Sequence, residues 1–340
     1  MKILYHILNP HVNAAERWIF DAWRDGFLML GHQVDILTFG DDFSHVLLTS
    51  MPDLFITDLC VVNLDKHLVS IQKARAYGVK VAMWVHWPPV GSATKNKKYL
   101  QEWDVADIYF GEREGDSDKF FSDTGKVYHC IPQAANSAVN GVTQHLAEYE
   151  SDILYIGTRL PKKRWLEENV LRPLMADPKI KVTIIGLGWE RRDFWCRVAL
   201  KFCKLFGFAA IKERIEKKTV KIAANTERFF YASSKICLNF HEREVDGTQP
   251  HYIVNQRTFK IPACGGFQIC DDVPAINKYF TNDEIVLLPL DKDLWLSTIY
   301  RYLEDNLERQ KIAGKGQYRA LKDHMSTNRC KSLLRLVGLE

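Results

Sequence analysis

Short runs of β-branched and aromatic residues alternate along this chain with longer segments whose apolar residues recur at helical spacing. This alternation predicts βαβ units stacked around parallel sheets. The strand runs are almost continuously apolar, which is typical of strands that are buried on both faces. The predicted strands are residues 2–8, 33–39, 53–58, 80–86, 107–112 and 126–131 in the first half, and 152–159, 181–188, 234–241, 267–272 and 284–290 in the second.

The length of 340 residues exceeds one ordinary hydrophobic core and predicts two domains. We place the first at residues 1–140 and the second at 151–318, with an Asn-, Ala- and Ser-rich linker at 132–151. Residues 319–340 are predicted to form a carboxyl-terminal helix that could pack back on the first domain. Two doubly wound α/β domains suggest a ligand in the cleft they face, because such sheets bind at the carboxyl ends of their strands.

Composition narrows the class of protein only modestly. A hydrophobic content of 46% is ordinary for a globular protein, and a formal charge of +4 is smaller than a dedicated nucleic-acid binder needs. The eight cysteines form no CxxC pair and no His/Cys cluster at metal spacing, so we expect reduced thiols, no metal and a cytoplasmic location. The amino terminus, "MKILYHILNPHVN", reads as a first strand rather than a signal peptide.

Several common enzyme fingerprints are absent from the sequence. The loop after the first strand reads "NPHVNA" and contains no GxGxxG, which argues against a nicotinamide-dependent oxidoreductase. The chain has neither a GxxxxGK[ST] phosphate loop nor a G-x-S-x-G nucleophile elbow. Chemistry is therefore expected in the glycine-bearing turns that follow strands of the second half.

One such turn is "YIGTRLPKKR", in which Gly157 and Thr158 end a strand. Four cations follow at the entrance to the next helix: Arg159, Lys162, Lys163 and Arg164. Backbone N–H groups at a helix amino terminus, together with cations, favour a phosphate site, although a solvated basic turn is the simpler interpretation. Further along, a helix is predicted from about 252 to 263, and the glycine pair 265–266 ends it or lets the backbone approach a ligand.

The segments "SSKICLNFHE", "NQRTFKIPACGGFQICDD" and "YFTNDEIVLLPLDKDLW" resemble the carboxyl-terminal half of glycosyltransferase-like proteins related to the spore maturation protein CgeB. These proteins are members of the GT-B group, and the resemblance covers about residues 152–325. It implies two Rossmann-like domains facing across a cleft, with a nucleotide-sugar donor held mainly by the second and an acceptor mainly by the first. The implied activity is metal-independent sugar transfer, in polysaccharide biosynthesis, to a glycan, a lipid-linked acceptor or another hydroxyl.

The resemblance also implies a set of donor-binding residues. The helix at 252–263 would direct its amino terminus at the diphosphate, with Arg257 as a bidentate cation. The full set is Gly157, Thr158, Arg159, Arg164, Glu242, Asp246, Asn255, Arg257, Lys260, Gly265, Gly266 and Asp271.

Lys260 departs from the family pattern. It stands where the family has a glutamate that accepts hydrogen bonds from the ribose, and lysine cannot accept. Either Asp271 or Asp272 replaces that glutamate, or the nucleotide is bound differently, or donor binding is lost. The last possibility leaves a non-catalytic sugar-binding or scaffold protein as an alternative function.

A base for the acceptor hydroxyl is expected in the first half. His86, in "MWVHWPPVG", follows the fourth strand and can titrate near neutral pH, and His11 after the first strand is the competitor. A structural, hydrogen-bonded histidine remains the alternative. A metal-dependent GT-A enzyme would need an Asp-x-Asp such as Asp291 and Asp293, but Asp291 reads better as a helix N-cap.

The segment 191–218 is an insertion relative to the family pattern. Read as one helix, it leaves a narrow polar stripe and apolar residues over nearly all the remaining surface from Phe194 to Ile211. Basic residues flank this apolar surface, as in helices that lie on an anionic membrane, which predicts peripheral binding at the inner face of the membrane. The alternative is packing on its own domain or against another subunit in an oligomer.

Overall fold

The structure, a computed structural model, describes residues 1–8, 15–89, 91–218, 221–243 and 253–340. These residues divide into two compact units. The first unit contains residues 1–8, Glu16–Gln133 and Ser326–Glu340, and the second contains Ala134–Met325, in each case within the described ranges.

The first unit is built on a parallel sheet of six short strands in the order β2-β1-β3-β4-β5-β6. Ile3 of the first strand lies opposite Val34 on one side and Leu54 on the other, so the earliest strand is central in the sheet. The strands are β1 (Lys2–His6), β2 (Gln33–Leu37), β3 (Leu54–Asp58), β4 (Lys80–Trp84), β5 (Ile108–Gly111) and β6 (Tyr128–Cys130).

Helices cover both faces of this sheet, which explains the continuous apolar character of its strands. One face packs on Phe43, Leu47 and Ile71, and the other packs on Trp23 and Leu333. The helices of the first unit are α1 (Ala15–Met29), α2 (Phe43–Ser50), α3 (Leu64–Ala76), α4 (Lys97–Glu102) and α5 (Ser117–Thr124), with α14 (Ser326–Leu336) at the end of the chain.

The second unit repeats the architecture with five parallel strands in the order β11-β10-β9-β7-β8. Its strands are β7 (Ser151–Ile156), β8 (Val182–Ile185), β9 (Ser234–Asn239), β10 (Gln268–Asp271) and β11 (Val286–Leu288). Its helices are α6 (Arg164–Leu166), which continues through a π-helical turn at Glu167–Leu171 into α7 (Arg172–Ala176), then α8 (Arg191–Phe206), α9 (Ala209–Lys218), α10 (Ala224–Ser233), α11 (Arg257–Ala263), α12 (Lys292–Glu304) and α13 (Asn306–Asp323).

The segment that follows residue 133 packs within the second unit. The Ala135 N–H donates to the carbonyl of His324 at 3.0 Å, and the Leu146 N–H donates to Ser233 Oγ at 2.9 Å. Asn136 and Asn140 are buried. At the other end of the chain, α14 contributes Leu333 and Leu334 to the core of the first unit.

Two helix predictions were wrong in their bounds. The helix expected at 252–263 begins only at Arg257, and Asn255 lies before it, where its side chain accepts from the Thr258 N–H at 3.3 Å. The single helix expected across 194–211 is two helices, because Gly207 adopts a left-handed conformation with φ of 73° and closes α8. No described helix is both long and apolar enough to cross a membrane.

Candidate functional site

Polar side chains gather where strands of the second unit end. Asn239 ends β9, His241 and Arg243 follow it, and Asp271 ends the neighbouring strand β10. All four side chains are buried. Because the strands are parallel, their carboxyl ends meet at one edge of the sheet, where α/β proteins bind ligands.

Asp271 is fully buried and is bound on both oxygens. Its Oδ1 accepts from the His241 N–H at 2.9 Å and lies 2.9 Å from His241 Nδ1, while Oδ2 accepts from Arg243 Nη2 at 3.0 Å. Burial alone would raise the pKa of this carboxyl, but His241 and Arg243 together hold the pKa below its ordinary value. Asp271 is therefore ionised, and it fixes the side chains of His241 and Arg243 that follow β9.

Arg257, the first residue of α11, hydrogen-bonds to the ends of the neighbouring strands β7 and β9. Its guanidinium donates to the carbonyl of Ile156 at 2.8 Å, to Asn239 Oδ1 at 3.2 Å and to the carbonyl of Phe240 at 3.4 Å. Asn255 donates to the same Asn239 oxygen at 3.0 Å. Described residues thus engage three of the five guanidinium N–H donors and leave two for a ligand.

Glycine is required where the chain leaves β7. A Cβ on Gly157 would lie 2.8 Å from the Tyr155 hydroxyl and 3.0 Å from Arg257 Nη1. A Cβ on Gly186, after β8, would lie 2.1 Å from the Gly157 carbonyl oxygen. The two glycines therefore let the loops after adjacent strands approach each other and leave room for the guanidinium.

Lys163 is the most unusual cation of this edge. It ends the short 3-10 turn Pro161–Lys163 and is only 8% exposed. Its ammonium makes no hydrogen bond or ion pair with any residue that the structure describes. Burial and the nearby Arg257 lower its pKa to about 7, although Glu242 and Asp271 act in the opposite direction. A buried lysine without an acid partner is poised to bind an anion.

The described charges of the edge leave a cationic excess. Glu242 lies 3.9 Å from Lys162, and Asp271 is bound by Arg243. Within the described part of the chain, Lys163 and Arg257 have no acid partner of their own. The arrangement can therefore hold a dianion such as a diphosphate. It offers each phosphoryl group a cation and hydrogen-bond donors.

Two other predicted cations of the basic turn, Arg159 and Arg164, pair with carboxylates. Arg159 forms a two-point ion pair with Glu167, and Arg164 is 75% exposed and pairs with Glu168 at 2.7 Å. Arg159 also lies over the ring of Trp189. Thr158 is half-buried beside Gly157. Both arginines are thus oriented by carboxylates, and their assignment to the donor stays a prediction.

Lys260 lies in a buried ion pair on the side of α11 that faces α10. Its Nζ is 3.0 Å from Glu227 Oε2, and Glu227 Oε1 accepts from the Tyr231 hydroxyl at 2.6 Å. The lysine that departs from the family pattern is thus balanced by an acid on the neighbouring helix. The ion pair with Glu227 therefore explains the lysine at position 260.

The glycine pair after α11 is explained by helix termination and packing. Gly265 has a φ of 85°, and its N–H donates to the carbonyl of Pro262 at 2.8 Å. A Cβ on Gly266 would lie 2.9 Å from both the Tyr231 carbonyl oxygen and Ile261 Cγ2. Gly265 is therefore explained by the left-handed end of α11, and Gly266 by its close packing against α10.

The remaining predicted residues fall in several places. His86 is half-buried after β4 of the first unit, with its ring 6.2 Å from that of Trp84. His11 and Asp246 lie outside the described residues. Asp291 is the N-cap of α12 and accepts from the Leu294 N–H at 2.9 Å, which confirms the N-cap prediction.

One group of buried side chains has the donors of a metal site. His241, Cys270 and Asp271 offer one nitrogen, one sulfur and one oxygen within 4.8 Å of one another. Both carboxylate oxygens of Asp271 already accept hydrogen bonds from cationic or ring nitrogens, and burial raises the pKa of the Cys270 thiol. A hydrogen-bonded network with a protonated thiol describes this group better than a set of metal ligands.

Four residues of this edge were absent from the predicted donor-binding set: Lys163, Asn239, His241 and Arg243. A signal was present for Lys163, because it belongs to the basic turn, but nothing in the sequence separates it from its three cationic neighbours. His241 and Arg243 follow "LNF" at alternate positions, which places both on one side of the extended chain.

Comparison with known proteins agrees with this architecture. A protein-family model described as "Glycosyl transferase-like" matches residues 162–335. No curated protein sequence is significantly similar to the chain.

Solved structures show the same fold at low sequence identity. HepE from Anabaena in complex with UDP is 13% identical, with a TM-score of 0.58 over 99% of this chain and 100% of that chain. An alpha-glucosyltransferase, AGT, in complex with UDP is 12% identical, with a TM-score of 0.63 over 99% and 100%. Sucrose-phosphate synthase from Thermosynechococcus elongatus is 12% identical, with a TM-score of 0.58 over 99% and 98%. The predicted fold, two Rossmann-like domains of the GT-B type, is confirmed, whereas the finer resemblance to CgeB-related proteins stays a prediction.

Proposed function

This chain belongs to the family of glycosyl transferase-like proteins, and from that premise we propose that it transfers a sugar from a nucleotide-sugar donor to a hydroxyl acceptor. The observation that carries the proposal is Lys163, a buried cation with no acid partner among the described residues, beside the guanidinium of Arg257. A diphosphate at this edge would supply the missing negative charge. UDP is bound in the similar structures of HepE and AGT, which makes it the first nucleotide to test.

The chemistry assigned to this edge is stabilisation of the leaving group. In sugar transfer, the bond between the anomeric carbon and the diphosphate oxygen breaks, and its electron pair leaves with the diphosphate. We propose that this developing charge is bound by Lys163, once protonated, and by the two N–H donors of Arg257 that no described residue engages. We propose that these residues replace a divalent cation in this role, so that transfer is metal-independent.

Calorimetric titration with UDP tests the donor site. We expect Lys163→Met to weaken UDP binding by about ten- to a hundredfold, since hydrogen bonds to charged groups contribute roughly 1.5 to 3 kcal/mol. Lys179→Met is the matched control, because Lys179 is an exposed lysine that precedes β8 at the opposite edge of the sheet. Binding and turnover should be unchanged in excess chelator.

A second readout of the same titration is specific to Lys163. Its pKa is about 7 in the free protein, and a bound diphosphate would raise it, so UDP binding near pH 8 should take up a proton. The binding enthalpy should therefore differ between Hepes and Tris buffers for the wild type and not for Lys163→Met. Equal UDP affinity in both proteins, with no proton uptake in either, would remove Lys163 from the site.

A non-catalytic binding protein remains the second candidate function, and the same experiments separate it from an enzyme. That alternative was motivated by Lys260, which the structure pairs with Glu227. Binding of UDP together with no release of UDP from any nucleotide sugar, across a panel of acceptors, would favour the scaffold.

For the acceptor, we keep His86 as the proposed base of the first unit. His86→Ala should leave UDP binding unchanged and lower turnover by roughly 10²- to 10⁴-fold, the range typical of a lost general base. Wild-type turnover in this variant would make His86 structural and leave His11 as the next candidate for the base.

The helices α8 and α9 suggest where an acceptor could be encountered. Their large apolar side chains are exposed, including Trp195 at 68% and Leu205 at 77%, and the rings of Phe202, Phe206 and Phe208 form a stacked row. Exposed basic residues accompany them, namely Arg191, Arg192, Lys201 and Arg214. We propose that this pair of helices lies on an anionic membrane surface, where apolar rings insert and basic side chains meet lipid phosphates.

Vesicle co-sedimentation tests the membrane proposal. Phosphatidylcholine vesicles with added phosphatidylglycerol should retain the wild type, with weaker retention at high salt, and should release a variant with Phe194, Trp195, Phe202 and Phe206 changed to serine. Equal partitioning of both proteins, or of neither, would contradict it. A concentration-dependent dimer that the serine variant loses would assign the same surface to a second copy of the chain.

A further inference from the structure

The first unit has its own row of polar residues at the carboxyl edge of its sheet. At the carboxyl ends of four neighbouring strands, a core residue on the face packed against α1 and α14 is followed two positions later by a polar residue. Because side chains alternate along a strand, such pairs lie on the same face of the sheet. The pairs are Ile56 and Asp58, Trp84 and His86, Phe110 and Glu112, and Ile131 and Gln133.

Glu112 is the most buried acid of this row, at 7% exposure. Its Oε2 accepts from Gln133 Nε2 at 2.8 Å. Its Oε1 is also buried, and no described residue donates to it or accepts from it. A buried polar atom without a partner is costly, so it marks a place that a ligand or water fills.

The environment of Glu112 keeps the carboxyl neutral. Burial raises its pKa to about 8, the hydrogen bond from Gln133 acts in the opposite direction, and the charge of Asp58 adds to the rise. Oε2 accepts from Gln133, so the proton resides on Oε1, which then becomes a donor that lacks an acceptor. The charge of Asp58 acts on Glu112, and Glu112 in turn acts on Tyr5 and Tyr128. Cys330 of α14 acts on Tyr5. His86 follows the neighbouring strand β4, with its ring 6.2 Å from that of Trp84.

We propose that this edge of the first unit is a binding site for a sugar hydroxyl, in which the Oε1–H of Glu112 donates a hydrogen bond to the hydroxyl oxygen. His86 follows the neighbouring strand β4 and Asp58 ends the next strand β3, and together they give the site both a ring and an acceptor for neighbouring hydroxyls. The inference deepens the proposed function, since the ligand is a pyranose unit of the acceptor. Glu112 is here a binding and specificity residue, and it takes no proton from the substrate.

Saturation-transfer NMR with three probes tests the site: methyl α-D-glucopyranoside, methyl α-D-galactopyranoside and methyl α-D-mannopyranoside. We expect the wild type to bind at least one of them at about pH 6.5. The affinity should fall about tenfold at about pH 9, because only the neutral acid donates and roughly a tenth of it remains one unit above its pKa. Glu112→Ala should abolish binding.

Glu112→Gln separates hydrogen bonding from proton transfer and also guards against misfolding of the alanine variant. Its amide can donate from the same position, so it should bind the glycoside at both pH values with no loss at the higher one. Loss of binding in the glutamine variant, at unchanged fold by circular dichroism, would overturn the donor role. Glu102→Ala, at an exposed acid that ends α4, is the matched control.

Two further outcomes would contradict the site itself: unchanged binding in Glu112→Ala, or no binding of any of the three glycosides to the wild type. The experiment needs no nucleotide, so it stands apart from the donor proposal. If the protein binds a glycoside through Glu112 but does not bind UDP, the donor proposal is wrong and this site still stands.

Discussion

The carboxyl edges of the two sheets occupy the same topological position and carry opposite chemistry. Among the described residues, the edge of the second unit holds Lys163, a buried cation without an acid partner. The edge of the first unit holds Glu112, a buried acid with one oxygen to which no described residue hydrogen-bonds. Burial lowers the pKa of the lysine to about 7 and raises the pKa of the glutamate to about 8. Both groups are therefore pushed toward their neutral forms near physiological pH.

The difference teaches that the loops, and not the sheets, decide which ligand class each unit suits. The parallel sheets supply equivalent strand ends, as Rossmann-like units generally do. A cationic edge with spare N–H donors fits a diphosphate, whereas an uncharged carboxyl next to polar side chains fits a hydroxyl. The two proposals, for donor and acceptor, rest on this contrast.

The largest expected effect on the unfolding free energy concerns Lys260, the buried lysine with an acid partner, in contrast to Lys163. Lys260→Glu would place two acids together where Lys260 now pairs with Glu227 at 3.0 Å. Removing one partner of a buried ion pair typically costs about 3 to 5 kcal/mol, and we expect a loss of unfolding free energy at the upper end of that range. Urea unfolding measures it.

The matched control for this change is the double variant Lys260→Glu with Glu227→Lys, which restores opposite charges. It should recover most of the lost unfolding free energy. If Lys260→Glu alone is as stable as the wild type, the buried pair does not hold α10 to α11.

The next effect is the pH dependence that Glu112 contributes. Its pKa is about 8 in the folded state and about 4.5 unfolded, so the folded state binds more protons between these values and stability falls as pH rises through the window. From pH 5 to 8 the unfolding free energy of the wild type, minus that of Glu112→Gln, should fall by at most about 4 kcal/mol. A constant difference would show that Glu112 is ionised and solvated.

Lys163 should produce a slightly smaller effect of opposite sign. Its folded pKa of about 7 lies below the unfolded value of 10.5, so the unfolded state binds more protons in between and stability rises with pH. From pH 7 to 9.5 the unfolding free energy of the wild type, minus that of Lys163→Met, should increase by at most about 3 kcal/mol. If these two differences in unfolding free energy changed with pH in the same direction, the two edges would not carry opposite chemistry.

Much of the fold could be predicted from local pattern. The strands were recognisable because each is a short, nearly continuous apolar run bounded by turn residues, and the match to GT-B structures confirms the architecture. Helix bounds were less predictable. Gly207 could end a helix or be tolerated within one. The late start of α11 at Arg257 leaves Asn255 outside the helix, where its side chain bonds to Asn239 and Thr258.

By itself, the sequence determined two parallel α/β sheets and a basic turn after β7, because apolar periodicity and residue type are local properties of the chain. Only the tertiary structure decided which charges of that turn are available. Glu167 and Glu168 neutralise Arg159 and Arg164, whereas burial leaves Lys163 without an acid among the described residues, and Glu227 accounts for Lys260. Glu112 likewise reads as an ordinary acid in the sequence. Its pKa is set by desolvation and by groups from other strands, which come together only in the folded chain.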